Sequence, residues 1–231
     1  YTLAIFIGHN GNKLEWRVYD VLDGRMLKGR SFPKTDSERL WLYSAAEALW
    51  KTLTGQNAPF LSHITYVKWE RKHGRLWYYL CIADFDGTNE RVMYTSPSLL
   101  LSPQWGWVDN QPVIYYSEFT SYNVRIGITD MEGNARTVFN LDGTSVGIVP
   151  CQNEIIYCRS GIIWRCYYDT ARQKRKHMPL IQEVGTCASP TVDESGNVYY
   201  CYSGMIKHFN RKEGIGKPVL YQGYYVSPSY H

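Results

Sequence analysis

The sequence predicts a mainly β chain, a β-propeller preceded by part of a small α/β domain. Three landmarks that recur in one order carry that prediction. Ser102-Pro103-Gln104-Trp105 returns as Ser189-Pro190-Thr191-Val192 and again as Ser227-Pro228-Ser229-Tyr230. A worn copy lies at Ser145-Val146, which puts the four serines 43, 44 and 38 residues apart. Tyr115, Tyr157 and Tyr199 follow in apolar runs at intervals of 42. Asp84, Asp130, Asp169 and Asn210 each end a later strand ahead of a short polar turn. A period of about 40–45 residues with several short strands per unit marks a propeller blade. One such small sheet cannot bury both faces alone, but it can when stacked against its neighbours. Val113–Tyr116 and Ile162–Tyr168 read accordingly, as strands covered on both faces.

Residues 1–61 do not follow the repeat. Tyr1 to Gly8 reads as a strand, Asn10-Gly11-Asn12 as a turn and Lys13 to Leu22 as the second arm of a hairpin. After Asp23-Gly24, Arg25 to Phe32 reads as an edge strand. A helix then starts with Thr35 as N-cap and Glu38 completing a capping box. Leu42, Ala46, Leu49, Trp50 and Leu53 share one helical face and predict the buried side. Lys51 sits in the last turn and Gly55 stops the helix. Ala58-Pro59-Phe60 reads as a linker.

From 62 to 231 the repeat takes over, with about four blades. Ile64–Trp69 and Trp77–Asp84 are strands around a basic turn, Arg71–Arg75. Asp84-Phe85-Asp86-Gly87 turns into Arg91–Tyr94. The first repeat has no innermost strand before Ile64, while Tyr225-Val226-Ser227-Pro228 is an innermost strand with no repeat after it. Such offset ends predict closure by the last segment completing the first blade.

Composition bounds the function. Twenty tyrosines and eight tryptophans suit strands and a packed interior. A net charge of +4 is too weak to indicate nucleic acid. No run of eighteen apolar residues is present, so no membrane-crossing helix is predicted. The chain opens on Tyr1 within an apolar run and reads as a trimmed chain. The six cysteines contain no C-x-x-C and allow fifteen pairings, none of which the spacing selects. They read as small buried hydrophobes. No histidine has ligand spacing beside a cysteine, which argues against zinc.

Three motifs invite a chemical reading. Gly143-Thr144-Ser145-Val146-Gly147 fits G-x-S-x-G, but a nucleophile elbow needs a helix after the serine, and Ile148-Val149-Pro150 follows here. Asp84 to Asn89 lacks the distal glutamate of a calcium loop and reads as a hairpin turn. Arg172-Gln173-Lys174-Arg175-Lys176-His177 reads as a solvated hairpin tip that blunts an edge; a contact with anionic lipid or envelope polymer is the alternative. Gly185 and Thr186, with Tyr221, Gln222 and Gly223, precede innermost strands and would ring one mouth of the channel, where rigid scaffolds bind partners.

The chain resembles the TolB family of the Tol-Pal system of Gram-negative bacteria over essentially its whole length. The residues that carry the resemblance are Ala48-Leu49-Trp50-Lys51-Thr52-Leu53-Thr54-Gly55, His63-Ile64-Thr65-Tyr66-Val67, Ile82-Ala83-Asp84-Phe85-Asp86-Gly87-Thr88-Asn89 and Leu101-Ser102-Pro103-Gln104-Trp105. The family's Ser-Pro-Asp-Gly after the tryptophan is replaced here by Gly106-Trp107-Val108-Asp109-Asn110. The resemblance implies a periplasmic, non-catalytic protein with an N-terminal α/β domain and a six-bladed propeller. It implies a mouth that docks the peptidoglycan-associated lipoprotein and a role in outer-membrane integrity and cell division. The mouth positions are Asp142, Gly143, Thr144 and Ser145, with Cys187 and Ala188. It implies contact with TolA only through an N-terminal segment absent from this chain. No cofactor is required; calcium in the channel is implied by resemblance. The alternative readings are an accessory propeller or lactonase-like metal-dependent hydrolase, and a structural repeat fragment without a partner.

Overall fold

The computed structural model describes residues 2–142, 145–151 and 153–220, apart from the side chains of 145, 146, 215 and 220. The expected closing strand Tyr225–Pro228, and the mouth residues Tyr221, Gln222 and Gly223, lie outside the described residues. The chain divides into two compact units. One holds the residues up to Ile64 together with Ala83–Glu90, and the other holds Thr65–Ile82 and the residues from Arg91 onward. No helix among the described residues is long and apolar enough to cross a membrane.

The first unit is an antiparallel sheet of β1 (Leu3–His9), β2 (Lys13–Asp20) and β3 (Met26–Pro33), in that order, with helix α1 (Glu38–Thr54). Alternate residues of β2, Leu14, Trp16 and Val18, are buried, as period-2 side-chain alternation requires of a sheet with one covered face. They pack against Trp41 and Ala45 of α1, with Ala48 and Leu49 at the margin. This differs from the expected face. Leu42, Trp50 and Leu53 are exposed. The helix is rotated because the Trp41 indole is large and its N–H needs an acceptor, which it finds in the Phe32 carbonyl at 2.9 Å. The N-cap also differs. Ser37 caps the helix, its Oγ accepting from Leu40 N at 3.3 Å. Thr35 instead donates its hydroxyl to the Ser37 carbonyl at 2.9 Å. Glu38 is therefore the first helical residue, where it complements the helix dipole without forming a capping box. Gly55 ends the helix as expected, in the left-handed region, its N–H donating to the Lys51 carbonyl.

The Asp84–Asn89 turn belongs to this unit. Its carboxylates are occupied by protein groups. The Tyr43 hydroxyl donates to Asp86 at 2.5 Å, Thr88 donates both its N–H and its hydroxyl, and the Arg39 guanidinium completes the set. The Tyr43 bond foremost, then those from Thr88 and Arg39, hold the Asp86 carboxyl far below the ordinary carboxylate range. A depressed folded-state pKa contributes stability above the unfolded value of about 4 and loses it as pH falls through the folded value. Asp86→Asn is therefore expected to lower stability at pH 7 and to flatten the acid limb of the stability curve below about pH 4. Urea denaturation at a series of pH values checks this; an unchanged acid limb would contradict it.

The second unit is built from small antiparallel sheets. The first sheet is three-stranded: β4 (His63–Lys72), β5 (Arg75–Asp84) and β6 (Arg91–Ser96). Three four-stranded sheets follow, each in sequence order: β7 (Leu99–Val108) to β10 (Ala135–Leu141), β11 (Ser145–Cys151) to β14 (Lys174–Ile181), and β15 (Cys187–Val192) to β18 (Ile215–Leu220). Within these run β8 (Gln111–Phe119), β9 (Val124–Thr129), β12 (Glu154–Arg159), β13 (Ile162–Asp169), β16 (Val198–Tyr202) and β17 (Met205–Asn210). One apolar cluster joins each successive pair of sheets. Leu80, Ile82 and Met93 meet Leu100, Ile114 and Tyr116. Val113, Tyr115 and Ile126 meet Ile148, Ile155 and Tyr157. Ile156 and Ile163 meet Cys187, Val198 and Tyr200. The leading strands β7, β11 and β15 lie side by side. Sheets stacked face to face around adjacent first strands are propeller blades.

Strand β8 is buried from Val113 to Glu118, as its apolar run predicts. Strand β13 is not covered throughout; only Ile163 and Cys166 are buried. The basic run also lies elsewhere than expected. Only Arg172 and Gln173 are in the turn, while Lys174, Arg175 and Lys176 are exposed on the outer edge strand β14, where charge opposes further strand addition. Five cysteines are buried among these strands and Cys201 is half-buried.

Candidate functional site

The Ser-Pro landmark is a β-bulge. In β7 the register against β8 shifts between Leu101 and Gln104, with Ser102 at φ 50°. In β15 it shifts between Ala188 and Thr191, with Ser189 at φ 48°. In β11 the shift falls between Val146 and Ile148, and Gly147, at φ 81°, holds the left-handed position. The structural counterpart of Ser102 and Ser189 is thus Gly147 and not Ser145. Gly147 precedes Ser189 by 42 residues, the interval of the tyrosines, whereas Ser145 lies two residues earlier and precedes it by 44. A Cβ on Gly147 would lie 3.3 Å from Cδ of Pro190 on the neighbouring inner strand, so the bulges of adjacent blades interlock.

Ser145 opens β11, which runs on to Cys151 and then returns as β12. No helix follows it, so no nucleophile elbow is formed. The other grouping of reactive side chains is Tyr157, His177 and Cys166. His177 Nδ1 lies 3.0 Å from the Tyr157 hydroxyl, and its Nε2 lies 3.8 Å from Cys166 Sγ. Burial pushes the Cys166 thiol up. Burial first, then Arg175 and Arg159, holds His177 down. Both groups are neutral at pH 7, so no thiolate–imidazolium pair exists to act as a nucleophile.

The mouth positions expected from the sequence fall on the connections that lead into β11 and β15. Asp142 is exposed beyond buried Leu141. Gly143 and Thr144 lie outside the described residues, as does the side chain of Ser145. Cys187 is buried; its N–H donates to the Gly161 carbonyl at 2.8 Å, and its own carbonyl accepts from the Cys158 thiol at 3.1 Å. Burial first, then nearby Glu183, pushes the Cys187 thiol up to about 11. Ala188 is half-buried beside it.

The connection ahead of β15 carries features the sequence did not signal. Glu183 accepts from the Tyr200 hydroxyl and from Lys207. The Tyr202 hydroxyl donates to the Val184 carbonyl at 2.7 Å. Gly185 passes the Tyr202 ring so closely that a Cβ would lie 3.0 Å from it, at φ 147°. These bonds hold Val184 outward, 99% exposed. At the same end of the second blade, the Thr120 hydroxyl accepts from the N–H groups of Tyr122 and Asn123. That turn presents Tyr122, 95% exposed. Between the first and second blades, again at this end, a cleft of about 630 Å³ is lined by Arg71, Arg75, Ser98 and Phe119 and by no carboxylate. Buried Glu118 braces the inner wall there. It accepts from Ser96 Oγ at 2.5 Å and pairs with Arg125 at 3.2 Å.

Among the described residues no three His, Cys, Asp or Glu side chains come together as a metal site. No contact is derived through calcium.

No family model matches the chain. A segment of 124 residues, 53% of this chain, is 30% identical to the Tol-Pal system protein TolB of Thioalkalivibrio sulfidiphilus and covers 28% of that protein. A segment of 134 residues is 31% identical to the Tol-Pal system protein TolB of Albidiferax ferrireducens, covering 57% of this chain and 30% of that protein. The chain is TolB-like. The matched segments span less than a third of these curated relatives. Among solved structures, TolB from Acinetobacter baumannii superposes with a TM-score of 0.51 at 18% identity, covering 99% of this chain and 71% of that one. An oligogalacturonate lyase in complex with manganese superposes at 0.50 with 11% identity, over 90% of this chain and 62% of that one. At these identities both likenesses establish the fold alone. They agree with the blades described above for the TolB-like chain.

Proposed function

We propose that this TolB-like chain is a non-catalytic docking scaffold of a Tol-Pal type system in the periplasm. In this reading the end of the propeller at which the inner strands begin receives the peptidoglycan-associated lipoprotein, in support of outer-membrane integrity and cell division. The docking positions are Asp142, Gly143, Thr144, Ser145, Cys187 and Ala188, with Val184 and Tyr122 as protruding anchors. One observation carries the reading: one apolar and one aromatic side chain, Val184 and Tyr122, are held almost fully in solvent, on braced connections, at one end of the blades. A folded chain has no internal use for them, whereas aromatic and apolar anchors on pre-formed surfaces dominate interface energies. A rigid scaffold also binds with little backbone rearrangement. The Arg71 and Arg75 cleft adds positive charge on the same side, suited to acidic groups on the partner.

Calorimetric titration with the periplasmic domain of the peptidoglycan-associated lipoprotein from the same organism, with and without calcium, tests the proposal. One-to-one saturable binding is expected. Tyr122→Ala and Val184→Glu should each weaken it by about tenfold or more. Neither should shift the melting temperature, because neither side chain contributes to the core. Bulky substitutions at Thr144 or Ala188 should weaken binding too. No binding by the folded chain would contradict the proposal.

A further inference from the structure

We propose that the cleft between the second and third blades, at the end opposite the connections discussed above, binds a saccharide. The inference does not rest on the docking reading. The cleft has a volume of about 320 Å³ and is lined by Trp107, Asp109, Asn153, Tyr168, Thr170 and Arg175. Both blades that form it are complete four-stranded sheets.

Four observations point to that ligand chemistry. Trp107 and Tyr168 are 67% and 51% exposed although both lie on strands. Flat aromatic faces left in solvent beside a cleft suit a ligand that has an apolar face and a polar rim. A sugar ring has both, with its C–H bonds on its faces and its hydroxyls around the edge. The polar lining is mixed: Arg175 donates, Asp109 accepts, and Asn153 and Thr170 do both. Sugar hydroxyls are each donor and acceptor and need such a mixture. A purely anionic ligand would call for donors without carboxylates, and a purely apolar ligand would call for neither. Among the described residues neither Asp109 nor Arg175 has an ion-pair partner, and Arg175 also reaches the Cys166 thiol. Glu154, which also lines the cleft, is held by Arg211 and Arg165 and gives it a fixed wall.

The turn that carries Asp109 adds a further argument. Asp109 and Asn110 link β7 to β8 with φ of 50° and 62°, both left-handed. Two-residue hairpin turns of this kind favour glycine at the second position, and here both positions keep side chains. The turn thereby keeps the Asp109 carboxylate at the cleft.

Saturation-transfer NMR followed by titration tests the proposal on the whole chain with three probes: maltotriose, chitotriose and sialyllactose. The neutral, N-acetylated and acidic probes separate the contributions of stacking, amide contacts and Arg175. Saturable binding of at least one is expected below about 10 mM. Trp107→Ala and Tyr168→Ala should each weaken it by about tenfold or more, and Trp107→Phe should retain it. Trp69→Ala, which removes an equally exposed tryptophan outside the cleft, should leave it unchanged. Circular dichroism and a melting curve confirm that each variant is folded. No saturable binding of any probe, or binding that survives both alanine substitutions, overturns the proposal.

Discussion

Trp16→Ala is expected to unfold the α/β unit while the propeller sheets stay folded. The core of that unit consists of Leu14, Trp16, Val18, Trp41 and Ala45. Trp16 is by volume one of its two largest members, and its indole N–H donates to the Ala45 carbonyl at 3.1 Å. Truncating a buried tryptophan costs about 3–5 kcal/mol through lost burial and the cavity left behind. The hydrogen bond from the indole to the Ala45 carbonyl is lost as well. A small unit has little reserve against such a loss. Trp16→Phe should cost less, since the ring volume is largely kept. Hydrogen exchange resolved by segment checks this. Loss of protection over β2 and α1, with the blades still protected, is the expected pattern. A destabilisation below about 1 kcal/mol would show that this core does not hold the unit together.

Gly127→Ala should destabilise the second blade by about 1–3 kcal/mol, far more than a glycine-to-alanine change in an open strand. Gly127 on β9 lies opposite Tyr116 on β8, and a Cβ there would be 2.4 Å from Cζ of the tyrosine ring. The ring cannot retreat. It is buried and stacked on Tyr94 at 5.0 Å. The tyrosine thus covers a cross-strand glycine, an arrangement that fixes register as well as packing. In the fourth blade Gly216 on β18 meets the hydroxyl end of Tyr200, which reaches it from β16 across the intervening strand. A double-mutant cycle with Tyr116→Leu separates the clash from other causes. The double variant should cost less than the sum of the two single variants, because the ring that the new Cβ strikes is gone. Strict additivity would place the cost elsewhere.

These two expectations show where the sequence is informative and where it is not. The repeat was legible because each blade needs the same strand lengths and turns. Asp130, Asp169 and Asn210 repeat for a local reason, as each accepts N–H groups from the turn that follows it. Gly55 was legible for a similarly local reason. The buried face of α1 was not, because it is set by Trp41 reaching Phe32 across the unit, and a helical wheel contains no acceptor. The bulge at Gly147 was masked because a glycine holds the left-handed position there, and the nearest serine, Ser145, lies two residues earlier. Val184 and Tyr122 gave no signal, since one apolar residue in a loop has no period. Glu118 could have been noticed as a lone carboxylate at the end of the apolar run Val113–Tyr116. Its partners Ser96 and Arg125 come from other strands and become visible only in the fold.

The most direct test of the account is hydrogen exchange of the whole chain with and without the periplasmic domain of the peptidoglycan-associated lipoprotein at saturating concentration. The account predicts added protection at residues 97–98, 120–123, 142–145 and 182–188, all at the end where the inner strands begin. Protection confined to the opposite turns, at 109–110, 130–134 and 170–173, would contradict it.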